Sequence, residues 1–212
     1  MLDLLSKTIS LRDLERDRRP MELQHVNVKL FAESAGEVDL APLISVFHQW
    51  IQDQVFDDLL LDIADYQHVP AGPGIVLIGF QGDYSVDNTG DRLGVRYNRK
   101  GVLDGSNQDR LAHSVRAALS AFARLEAEPR LEKKLRFGGR EIEVFINDRL
   151  LAPNNGATRQ AAEADIQALF LKLFRESAIL SAGSDDPRRL FSVTARASHS
   201  FSLAELLANL NS

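Results

Sequence analysis

The chain has 212 residues, 44% of them hydrophobic, with a net charge of −5 and no cysteine. That length suits one large domain or two small ones whose core needs no disulfide or metal staple, and the missing thiols exclude cysteine nucleophiles, disulfides, Cys-ligated zinc and iron–sulfur clusters. The acidic balance argues against nucleic acid and anionic membranes as partners, and no apolar run approaches the roughly 20 residues of a membrane helix, so a soluble, cytoplasmic protein is expected.

Residues 1–20 carry a thin apolar stripe, Leu2, Leu5, Ile9 and Leu11, then the charged run RDLERDRRP. They read as an N-terminal extension or docking helix, closed by Pro20 because the residue before a proline is pushed out of helical geometry. Met21 is a second candidate translation start. A single α+β globular domain is expected over residues 21–212, with a soft lobe boundary near residues 129–134.

From Glu22 to Ala32, Val26, Val28, Leu30 and Ala32 point one way while His25, Asn27 and Lys29 point the other, the period of a half-buried strand. Asp39 can cap a helix whose apolar face is Leu40, Leu43, Ile44, Phe47, Trp50 and Ile51. The spacing over Phe56–Ala64 allows a strand or another helical turn. Ile75–Phe80 is an unbroken apolar run between glycines, the pattern of a central strand covered on both faces. Arg92–Asn98 alternates again, and the turn residues Asp87-Asn-Thr-Gly-Asp91 join these two strands as a hairpin, 75–80/92–98.

In the second half, Ser106 with Asp109 opens a long helix on Leu111, Val115, Leu119, Phe122 and Leu125, and Pro129 ends it. Gly138-Gly139 turns a second hairpin, 135–137/141–146. Thr158 caps a helix, Arg189–Ala197 forms a strand, and Ser202 with Glu205 caps a closing helix. Hairpins each followed by a helix give an α+β fold, a mainly antiparallel sheet with helices packed on one side, in an order compatible with two similar lobes.

The segment Asp65–Lys100 concentrates the chemistry: six of the thirteen glycines, all three tyrosines and a knot of Asp, His and Arg. The Tyr66–Gly74 loop, with His68, Pro70 and Pro73, can present backbone N–H groups to an anion, yet it lacks phosphate-loop spacing and leads into a strand where those motifs need a helix. Asp58, Asp62, Asp65, His68, Asp83, Asp87 and Asp91 match no metal-ligand spacing, and turn aspartates explain the same letters. No metal or other cofactor is assigned. Serine elbows and SxxK pairs are missing as well. Arg92 and Arg96 project from one strand face, where a guanidinium fork suits phosphate or carboxylate.

Two functional classes follow. The first is a non-catalytic ligand-binding or protein-interaction module, self-association included, whose surface lies in residues 65–100. Its ligand-binding candidates are Asp65, His68, Asp83, Tyr84, Arg92 and Arg96, and a small anion is the expected ligand. The second is a small enzyme using His68 with Asp65 or Asp83 for acid–base chemistry on an anionic substrate held by Arg96.

Overall fold

In the computed structural model, residues 21–34 and 38–212 are described; the extension read over residues 1–20 lies outside them. The alternation of the first strand, β1 (Val26–Ser34), survives intact: Val26, Val28 and Leu30 are buried against helices, while Asn27, Lys29 and Phe31 face the other way. Seven more strands follow among the described residues: β2 (Leu60–Tyr66), β3 (Gly74–Gly79), β4 (Gly82–Asp87), β5 (Gly94–Arg99), β6 (Leu135–Ile146), β7 (Ile179–Ala182) and β8 (Phe191–Arg196). They form one antiparallel sheet in the order β2-β3-β4-β5-β1-β6-β8-β7.

Among the described residues, four α-helices cover one face of it: α1 (Pro42–Asp53), α2 (Asn107–Glu126), α3 (Gly156–Phe174) and α4 (Leu203–Asn211). The central α2 lies across β1, β5 and β6, α1 covers β2 and β3, α3 touches β8, and α4 packs between α2 and α3. Capping boxes start α2 at Ser106/Asp109 and α4 at Ser202/Glu205 as the sequence predicts. The other two starts differ. Asn155, not Thr158, caps α3 by accepting from the Thr158 N–H, and Asp39 instead holds the Ala41 N–H one turn before α1 begins at Pro42.

Both expected hairpins are corrected. β4 stands between β3 and β5, so 75–80 and 92–98 are two strands apart in the sheet rather than paired. Tyr84 and Val86 carry a strand alternation through the acidic and glycine residues around them, and both side chains are buried. Segments 135–137 and 141–146 are one strand, and both halves pair with β1. Gly138-Gly139 bends that strand instead of reversing it; Gly139 has φ +77° and lies so close to Phe201 that a Cβ would fall 2.8 Å from its carbonyl oxygen. β3 is also not central: it neighbours the outer strand β2, with Ile75 and Leu77 fully buried beneath α1 but Val76 and Ile78 only half-buried opposite.

Candidate functional site

The face of the sheet away from the helices is polar at its middle. Register places Val76, Ser85, Arg96, Lys29 and Glu143 in one row across β3, β4, β5, β1 and β6. The neighbouring row reads Ile78, Asp83, Asn98, Asn27 and Phe145. A strand face without a helix over it ordinarily meets water, yet Asn27 is 0%, Lys29 2% and Ser85 2% exposed.

Lys29 is buried because it has a partner. Its Nζ donates to Asp87 Oδ1 at 2.5 Å and to the Thr89 carbonyl at 3.2 Å. Gly94, opposite Asp87 on β5, opens the path: a Cβ there would stand 3.2 Å from Lys29 Cε. Asp87 is held in turn by the Thr89 N–H and hydroxyl. Burial pulls the Lys29 ammonium below its ordinary range, and the Asp87 carboxylate opposes that. Glu143, paired with Lys29 across the strands, is pushed up by burial, an effect opposed first by the Ser192 hydroxyl and then by Lys29 and Arg96.

Arg96 is held differently. Its Nε donates to Asn98 Oδ1 at 2.7 Å, and its guanidinium lies 4.6 Å from the centre of the Phe145 ring. Because β1 separates β5 from β6, this contact bridges over β1. Asp87 Oδ2 is 3.9 Å from Nη1, outside hydrogen-bonding distance. Arg96 lines two cavities, about 530 Å³ on the β3–β4–β5 side and about 410 Å³ toward β6 and β8. In each, three cationic side chains accompany two carboxylates. Beside them, Ser85 Oγ and both amide atoms of Asn27 are buried with no hydrogen-bond partner among the described residues.

The predicted residues divide. Asp83 and Arg96 line the same cavity, with Asp83 accepting from Lys100 Nζ at 2.7 Å. Tyr84 is next to Asp83 and therefore faces the helices, where burial pushes its phenol up and its ring stacks on Phe56, centroids 4.5 Å apart. Arg92 lies over Phe31 and donates to Glu141. Asp65 accepts from the Gln67 N–H at the exposed end of β2, and His68, also exposed, packs its ring near Tyr66. Of the Tyr66–Gly74 loop only Pro73 reaches the Arg96 cavity; Gln67, Val69 and Gly72 line a separate one, about 520 Å³, with Asn88 and Asp91.

Lys29, Asn27, Ser85, Asp87 and Glu143 complete the site beyond the sequence candidates. Their strand alternation marks the face they share, while their burial depends on strands distant in the chain. Among the described residues, no group of three or more His, Asp or Glu side chains is placed to hold a metal ion, and no helix is long and apolar enough to cross a membrane. Asp58, Asp62 and Asp65 each accept from nearby backbone N–H groups instead. Compared with protein-family models and with curated proteins, the sequence matches none.

Proposed function

We propose that the protein is a binding module for a small anion, taken up on the open face of the sheet and held by Arg96. The observation that carries this reading is the state of that guanidinium. It is positioned by Asn98 and Phe145, its side chain is 17% exposed, and its Nη groups make no hydrogen bond among the described residues. The cationic excess around both cavities supports the same reading, since a net positive lining attracts an anion and lowers the cost of desolvating it. Asp83 is already engaged by Lys100, which leaves it poorly placed as a free base and favours binding over the acid–base alternative.

The test is calorimetric titration of the full chain with acetate, sulfate and phosphate, together with thermal shift, because a ligand of the native state raises the midpoint. Arg96→Gln should weaken whichever anion binds by about 1.5–3 kcal/mol, the worth of a hydrogen bond to a charged group. Equal affinity in the variant would end the reading.

A further inference from the structure

We infer that Asn27 and Ser85 form the covered half of this site, engaged when a ligand draws Arg96 off Phe145, and that the ligand is accordingly a small monocarboxylate bearing a hydroxyl or amide group. The inference rests on the Arg96 reading and specifies its ligand.

Asn27 pairs with Asn98 of β5 on one side and Phe145 of β6 on the other. Among the described residues no helix covers that face, so its 0% exposure needs another cover. The Arg96–Phe145 bridge crosses β1 there and supplies it. Beneath the bridge an amide donor and an amide acceptor are both unpaired among the described residues, as is the hydroxyl of Ser85, which pairs with Arg96 across the strands and lines the larger of the two cavities. Buried groups of this kind destabilise a fold relative to apolar side chains of the same size, so their retention calls for a partner that arrives from outside.

The chemistry of these atoms selects the partner. Sulfate offers only acceptors and leaves the Asn27 carbonyl unanswered, whereas a hydroxyl or amide both donates and accepts. Charge narrows it further. Lys29 is neutralised by Asp87, and Glu143 stands on the same row, so a second negative charge on the ligand would meet carboxylates. A carboxylate on Arg96 with a hydroxyl or amide reaching Asn27 and Ser85 meets every requirement.

The experiment is titration of the full chain with acetate, sulfate, glycolate and oxamate, repeated with Asn27→Leu and Ser85→Ala. Glycolate and oxamate should bind the native protein about tenfold more tightly than acetate, the equivalent of one added hydrogen bond. Each variant should erase most of the margin of glycolate and oxamate over acetate, and ligand-free Asn27→Leu should melt higher than the native protein. Equal binding of acetate and glycolate, or a margin that survives in Ser85→Ala, would overturn the inference and leave the Arg96 reading standing. So would a lower melting point in a folded Asn27→Leu protein, because the amide would then be satisfied without ligand. Binding of none of the four anions, nor of phosphate, would overturn both.

Discussion

Lys29 and Asp87 are 58 residues apart in sequence and meet with 3% and 1% of their side chains exposed. The pair ties β1 to the end of β4 across β5, over the bare backbone of Gly94. Removing two charges from water costs several kcal/mol per ion, which the attraction and hydrogen bonds of the pair must offset.

Breaking the pair by one side should therefore be costly. Lys29→Met or Asp87→Asn alone is expected to lose about 3–5 kcal/mol, since each strands a buried charge or polar group. The double variant should lose clearly less than the sum of the two. Urea denaturation of the four proteins measures this, and simple additivity would mean that the two groups are not coupled.

The helix-facing side of β3 gives a second test. Leu77 is fully buried beneath α1. Leu77→Ala should lose about 2–5 kcal/mol, as large-to-small core changes do, and an unchanged denaturant midpoint would contradict the burial.

Glu143 should leave a mark on the pH dependence of stability. Burial raises its pKa in the folded state above the ordinary carboxylate value of 4.5. Below that value the folded and unfolded states are both protonated and the contribution is fully present; it is lost as pH rises through the folded-state pKa, because the fold must then accommodate a desolvated charge. Glu143→Gln cannot ionise, so its stability relative to the native protein should increase as pH is raised above the ordinary carboxylate range. A constant difference across that range would show that Glu143 ionises as freely in the fold as out of it.

Deletion of residues 1–20 should leave a cooperatively unfolding domain, because the described residues from Leu23 onward form a continuous buried core and the Leu23 backbone N–H is held by Asn107. A changed solution mass without loss of cooperativity would assign the segment to subunit contact. Non-cooperative melting would place it in the core.

Strand alternation made β1 and β5 legible from sequence, and capping boxes the starts of α2 and α4, and with them the α+β class. It misjudged what glycines do. Gly138-Gly139 reads as a turn, but the extent of β1 on the neighbouring side determines that the strand continues through it. For the site, Arg96 was legible as an outward cation on an alternating strand. Asn27 and Lys29 were legible only as the polar side of theirs, because period two tells which residues share a face and is silent on whether that face is covered. Asn27 is paired with Phe145 and Lys29 is bonded to Asp87, both far along the chain. Tyr84 could have been set apart from Asp83 by the same alternation, had GDYSVD been read as a strand.

The position of β1 also governs the order in which the molecule can assemble. It precedes the other described strands, yet Asn27 finds its neighbours only at Asn98 and Phe145. β2 to β5 can zip up as consecutive neighbours while β1 waits, and such distant pairing is slow to form. A waiting strand of uninterrupted apolar residues would invite pairing between nascent chains; Asn27 and Lys29 break that run with an amide and a charge. The polar residues proposed to meet a ligand in the finished protein thus also protect the unfinished one.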